Sequence, residues 1–384
     1  MKKIISIVLI LCLSVGLFSG CSQGGMKASK KDIAALEALY EGRTAAYGDP
    51  HCHSASSINS DGKHTIAEFK QYMDVKQIDF IAVVDHGQTT HMTLDSWDDT
   101  FLVGGSEPGA TITDVEVESR RNMDYAMIFT DVKAMETVLE AYPDEFAYDK
   151  ETGFFKKNFA GEKAKLQEII QCVKDNGGMW VYVHPFCKSE PYGYDPVDFK
   201  ERWFADETGF EICNSDMGNF NAPENYAAYE CWVELLNAGK RIWATSGSDS
   251  HSGLPWEWNL VTLYADEKNG EGYFRQMKVG NLTAGPVGIR MAVGDATTGS
   301  TGSFAGNRVV IAAGDFHSWA VEEDHIYRLD IYDETGLVSS QELSTTEMNY
   351  FAFKAREDAK YYRANVYDVT GDKLFAVGNP VWNG

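Results

Sequence analysis

Positive charge is scarce in this chain of 384 residues: 34 Lys and Arg stand against 57 Asp and Glu, a formal net charge of −23. Such a surface cannot neutralise a phosphate backbone, which argues against nucleic acid and anionic lipid headgroups as ligands. Cysteine is sparse too. Past residue 21 only Cys52, Cys172, Cys187, Cys213 and Cys231 remain, an odd number in no tight framework, and most read as small buried side chains. No internal repeat and no low-complexity tract is present. Beyond the first twenty residues no apolar run is long enough to cross a membrane. What remains is a chain able to bury a sizeable core, with room for two domains.

The one long apolar run stands at the start. Met1, Lys2 and Lys3 precede "IISIVLILCLSVGLF", which is short, close to the N-terminus and reads as an export signal. It stops at "FSGC", which resembles a bacterial lipobox with Phe18 in place of the more usual Leu. The resemblance implies cleavage before Cys21 and diacylglyceryl attachment to its sulfur. The protein would then be exported and lipid-anchored to a bacterial membrane, at the cell surface or periplasmic face. Loss of Lys2 and Lys3 with the leader takes the formal charge from −23 to −25. Residues 22–30, "SQGGMKASK", read as a flexible leash.

Helical periodicity over 31–43 predicts a lead-in helix. Short apolar runs at 79–86, 125–131, 178–185, 209–214 and 241–251 read as buried strands, with helices expected at 65–77, 161–176 and 225–239. This alternation predicts a parallel β/α architecture, a barrel, over residues 48–284. From about residue 285 to 384, period-two runs such as "RVVIAAG" and "YYRANVYDV" replace the helical pattern, which predicts a small antiparallel β-sandwich. The expected organisation is a leader over 1–20, leash and lead-in helix over 21–47, barrel, then sandwich.

Candidate chemistry gathers at the strand ends. "GDPHCHSASSINSDG" places His51 and His53 on one face of an extended segment, because alternate side chains share a face. Asp85 and His86 end the next apolar run, His184 another, and Asp249 and His251 the last. Barrel active sites form at the C-terminal ends of strands, where residues distant in sequence converge. A single His there is commonly a hydrogen-bonded residue and nothing more. Four successive strand ends with His or Asp point to a metal centre.

Taken together, "DPHCHS…SDG", "VVDH", "GGSEPG", "VYVHP", "FEICN" and "GSDSH" resemble, in order, the motifs of the PHP family, named for polymerase and histidinol phosphatase. "NLTAGPVG" and "FAVGNPVWN" resemble the sandwich appended in its carbaryl-hydrolase-like branch. The resemblance implies a distorted seven-stranded (β/α) barrel with two or three Zn, Mn or Fe ions. By motif, His51, His53, Glu107 and Asp249 would bind one ion. Glu107 would bridge to a second held by His184, and Asp61, His86 and His251 would bind a third. Glu116 and Glu118 are alternatives to Glu107, and Asp124 stands where related chains often carry His.

Around these, Asp85 is a candidate catalytic residue that orients a ligand. Arg120 and Arg121 are candidates to grip a phosphate, and Asn214 to reach substrate. Glu211 is read as structural, and His91, His317 and His325 as non-ligands. The expected function is hydrolysis of small-molecule phosphate mono- or diesters by metal-activated hydroxide. Non-phosphate esters or carbamates are the alternative substrates, and a non-catalytic glycan-binding lipoprotein is the alternative from another class.

Overall fold

The computed structural model describes residues 26–57, 60–114, 122–187, 199–215, 219–251 and 259–384. Cys21, Glu116, Glu118, Arg120 and Arg121 lie outside them. The architecture is mixed α/β with one large sheet. Helix α1 (Lys30–Leu39) starts at a Ser29–Asp32 capping box and leads into strand β1 (Thr44–Cys52). There follow α2 (Ile66–Lys76), β2 (Phe80–Val83), β3 (Leu102–Ser106), β4 (Asn122–Phe129) and α3 (Val132–Ala141). Next come α4 (Lys163–Asp175), β5 (Met179–Tyr182), β6 (Thr208–Asn214), α5 (Pro223–Asn237) and β7 (Ile242–Gly247).

The helices form where apolar residues recur at helical spacing. In α2, Ile66, Phe69 and Met73 are buried against Cys52, Ile81 and Val83 of the sheet. In α4 the buried stripe is Leu166, Ile169, Ile170 and Val173, and α5 opens with Pro223 in its first turn, where a missing N–H costs nothing. The expected helices and strands fall at or within a few residues of these elements.

The strand ladder runs in chain order: β1–β2 and β2–β3 parallel, β3–β4 and β4–β5 antiparallel, β5–β6 and β6–β7 parallel. An isolated parallel bridge between Cys52 and Ser250 brings the end of β1 beside the segment after β7. The all-parallel expectation is corrected at β4, which runs against both neighbours. Its first residues therefore lie at the same end of the ladder as the C-termini of β3 and β5. In β1 the register to β2 shifts between Asp49 and Cys52, around Pro50. A proline has no N–H for a ladder bond and is accommodated at such an irregularity.

Two more strands, separated by helix α6 (Gly270–Lys278), extend the sheet: β8 (Val261–Ala265) pairs antiparallel with β1, and β9 (Leu282–Ala284) antiparallel with β8. β9 pairs in turn with Lys373–Gly378. A four-stranded sheet holds Val287–Val293, Ala296–Thr297, Arg308–Phe316 and Asn349–Lys354. Its inward residues, among them Ile289, Met291, Val309 and Ile311, share an apolar cluster with Leu329, Ile331 and Val366 from Tyr327–Asp333 and Tyr361–Asp368. Among the described residues, no helix is long and apolar enough to cross a membrane.

Candidate metal centre

Each ligand candidate enters from one end of the ladder. His51 is the next-to-last residue of β1 and His53 lies just past its end; His86 follows β2, Glu107 follows β3 and His184 follows β5. Asp249 and His251 follow β7, Asp124 lies near the start of the reversed β4, and Asp61 precedes α2. Three groups result: His51, His53, Glu107 and Asp249; Glu107, Asp124 and His184; and Asp61, His86 and His251 with His53 alongside.

The first group is the tightest. His51 Nε2 lies 3.2 Å from His53 Nε2, 3.1 Å from Glu107 Oε2 and 3.2 Å from Asp249 Oδ1. His53 Nε2 lies 3.0 Å from Glu107 Oε2 and 3.1 Å from Asp249 Oδ1. Donors held about 2 Å from one tetrahedral cation stand about 3.3 Å apart, so nitrogen and carboxylate oxygen are spaced here as a borderline divalent ion requires. Two imidazole nitrogens facing each other across 3.2 Å cannot both carry the proton between them. The residues fit a metal.

Glu107 uses both oxygens. Oε2 faces His51 and His53, while Oε1 lies 2.9 Å from His184 Nε2. Asp249 likewise turns Oδ2 toward His184 at 3.7 Å. In the third group, Asp61 Oδ2 is 3.3 Å from His251 Nε2 and 3.6 Å from His86 Nε2. Exposure divides the centre: Asp61 and His86 side chains are 54% and 40% exposed, whereas those of His53 and Glu107 are closed to solvent. The centre is therefore open along its Asp61–His86–His251 rim.

Three imidazoles have their tautomer set from behind. His51 Nδ1 is 3.2 Å from Glu211 Oε1, His86 Nδ1 is 3.2 Å from the Glu107 carbonyl, and His251 Nδ1 is 2.8 Å from the Asp249 carbonyl. Carbonyls and ionised carboxylates only accept, so each Nδ1 donates its hydrogen and leaves Nε2 with a lone pair aimed at the cluster. Asp49, fully buried, ties the two longest-range partners together. Its carboxylate accepts from the His51 and Ser248 N–H groups and from the Ser248 hydroxyl, and the Asp249 N–H donates to the His51 carbonyl. His184 and Asp249 have φ of +26° and +53°, conformations uncommon for residues with a side chain and concentrated at functional sites.

Two candidates stand outside the three groups. Asp85, expected to orient a ligand, is fully buried. It accepts from the Ser54 N–H at 2.6 Å and from the Ser54 and Ser57 hydroxyls, with His91 Nδ1 3.4 Å away. It holds the turn after His53 in place. Asn214, expected to reach substrate, is buried and donates from Nδ2 to Glu211 Oε2 at 3.0 Å. His91 bonds the Val83 carbonyl and His317 the Gln77 carbonyl, both away from the centre. Glu211, read as structural from the sequence, and Asp49, given no role there, both bond His51. Asp49 lies on β1, the strand that carries His51, whereas β6 carries no ligand candidate and gave no such signal for Glu211.

Burial works against charge on His51, but the carboxylates of Asp249, Glu211 and Glu107 outweigh it and hold its pKa well above the ordinary histidine range. The same balance pushes His53 to about 9 and His184 to about 10. Glu107 and Asp249 respond in the opposite sense: burial raises them, yet the imidazoles, His51 foremost, hold both below the usual carboxylate range. Asp124 is pushed up to about 6 by burial and by the Glu107 carboxylate.

No protein-family model matches the chain, and no curated protein matches it. Among solved structures, it is similar to a protein from Bifidobacterium adolescentis regarded as a metal-dependent phosphoesterase, at 15% identity over 54% of this chain and 89% of that one, with a TM-score of 0.35. It is also similar to an amidohydrolase from Chromobacterium violaceum, at 13% identity over 53% and 87% of the two chains, with a TM-score of 0.36. A lesion-specific endonuclease from Pyrococcus furiosus matches at 12% identity over 61% of this chain and 56% of that one, with a TM-score of 0.40. Each likeness is partial and of low identity, so neither overall fold nor activity follows from it.

Proposed function

We propose that this chain is a metal-dependent hydrolase of the PHP type, acting on small-molecule phosphate mono- or diesters. The observation that carries the reading is Glu107, one buried carboxylate that presents Oε2 to His51 and His53 and Oε1 to His184. Divalent cations held by His51, His53, Glu107, Asp249 and His184 would supply Lewis acidity and a water activated near neutral pH. The chain's own residues do the remaining work. Glu211 and the Glu107 and Asp249 carbonyls keep three Nε2 lone pairs available, and the closed side around His53 and Glu107 excludes water. The exposed rim of Asp61, His86 and His251 leaves the approach to an ester open.

The same proposal includes the seven-stranded barrel over 48–284, supported by the Cys52–Ser250 bridge between the ladder's ends, and the sandwich over 285–384. It includes export and a lipid tether at Cys21, supported by the leader and "FSGC". The acidic composition favours a small substrate over nucleic acid. Arg120 and Arg121, proposed to grip a phosphate, lie outside the described residues. A neutral ester or carbamate is the second reading, carried by the resemblance of "NLTAGPVG" and "FAVGNPVWN" to the carbaryl-hydrolase-like branch.

The purified mature form should contain more than one equivalent of divalent metal and, with Mn or Zn restored, hydrolyse bis-p-nitrophenyl phosphate. His51→Ala and Asp249→Ala should each lose metal and activity, whereas His317→Ala should lose neither. Turnover of carboxylic esters or carbamates alone would keep the hydrolase and remove the phosphate. Metal-loaded protein that turns over none of these, yet retains a glycan tightly, would overturn the enzymatic reading.

A further inference from the structure

Glu211 lies within "FEICN" on β6, almost fully buried. Its two oxygens meet three donors. Oε1 accepts from His51 Nδ1 at 3.2 Å, and Oε2 from the His184 backbone N–H at 2.7 Å and from Asn214 Nδ2 at 3.0 Å. An ionised carboxylate only accepts and so satisfies all three; an amide in its place would turn an NH2 toward one of them. The space beside His51 and Glu211 is walled largely by Ala126, Ile128, Met179, Val181 and Val183, which accept no hydrogen bond. The environment is therefore one in which a lost acceptor is expensive.

We propose that Glu211 is a positioning residue for the metal centre: one carboxylate sets the tautomer of His51 and the left-handed turn at His184. Ligands of two different clusters are thereby aligned by a single side chain. The turn at His184, φ +26°, is one that few residues with a side chain adopt unaided. The Glu211 bond to its N–H holds it where Nε2 stands 2.9 Å from Glu107 Oε1. This inference rests on the metal-centre reading above and adds a residue that itself touches neither metal nor substrate.

Two measurements test it. Calorimetric titration of the metal-free full chain with Mn²⁺ or Zn²⁺ should show Glu211→Gln binding about 10–100-fold more weakly than wild type, with the far-ultraviolet circular dichroism retained. Long-range ¹H–¹⁵N spectra of Zn-loaded wild type should show His51 protonated at Nδ1 and ligating through Nε2, a readout that needs no variant to fold. Unchanged affinity in Glu211→Gln, or ligation by His51 through Nδ1, would overturn the positioning role and leave the metal centre standing. Wild type that binds neither ion would overturn both.

Discussion

A buried imidazole enclosed by carboxylates can offset their charge in two ways, by holding a proton or by sharing a cation. Here both options compete for the same lone pairs, so metal uptake must release protons. The sign of the pH dependence follows from the raised values. His53 and His184, at about 9 and about 10, sit above the ordinary value of about 6.5. Their contribution to the metal-free fold is complete below about pH 6.5 and is lost as pH climbs through about 9 to 10. Asp49, pushed up to about 6 by burial, and Asp124 act in the same direction at lower pH, since they too bind protons more tightly when folded. The thermal midpoint of the metal-free protein should therefore fall between about pH 7 and 10, and the stabilisation produced by Zn or Mn should grow across that interval. Scanning calorimetry in matched buffers reads both; a metal-induced shift that shrinks with rising pH contradicts the account. At this scale the sequence was legible where a motif spans one strand end, as in His51-x-His53. Asp85 is bound to Ser54, Ser57 and His91, partners that its place beside His86 in the sequence does not announce. Glu211 was legible as a structural residue, but its partners were not. Its partners, His51 and His184, come from β1 and from beyond β5, and only the ladder order brings them to β6.

Elements were read well where their period is strong. The stripes of α2, α4 and α5 and the buried runs of β2, β5 and β6 stand close to where hydrophobic spacing puts them. Direction was not legible: a buried apolar run looks the same whichever way it lies, so the reversal of β4 had no signature. The close approach of β7 to its neighbours was equally hidden, although it is written in one glycine. A Cβ at Gly247 would stand 2.5 Å from His51 Cβ and 2.6 Å from Glu211 Oε1. Neither neighbour has room to yield, since both are buried and bonded to each other. Gly247→Ala should consequently strip the centre of metal nearly as fully as loss of a ligand, with all ligands intact and the secondary structure preserved. Metal analysis by mass spectrometry alongside circular dichroism is the check. Full metal content in Gly247→Ala would show that His51 tolerates displacement and that the spacing argument fails.

Across the whole molecule, the strands after residue 285 do not hang from the ladder as an appendage. β9 takes Lys373–Gly378 as its outer partner, and Glu37 of α1 reaches the Arg290 guanidinium with two contacts of 2.8 Å. The deepest tie is Asn379, buried, whose side chain imitates a strand beside β7. Oδ1 accepts from the Ala244 N–H at 2.7 Å, while Nδ2 donates to the carbonyls of Ala244 at 2.9 Å and Leu282 at 3.2 Å. Ala244 lies on the strand that delivers Asp249, so the C-terminal segment stabilises the element on which a ligand candidate depends. Asn379→Ala removes the side-chain partner of two buried backbone groups, the Ala244 N–H and carbonyl, each costing about 1–3 kcal/mol when left unsatisfied, while the Leu282 carbonyl keeps the backbone N–H of residue 379. The thermal midpoint should drop by several degrees, and unfolding of wild type should remain a single transition in which metal release coincides with loss of structure. A chain whose two halves melt separately, with Asn379→Ala lowering only the transition that does not release metal, would mean that β7 stands without this support. The amide's position on the ladder strand itself, and not on a surface loop, is the reason to expect one transition.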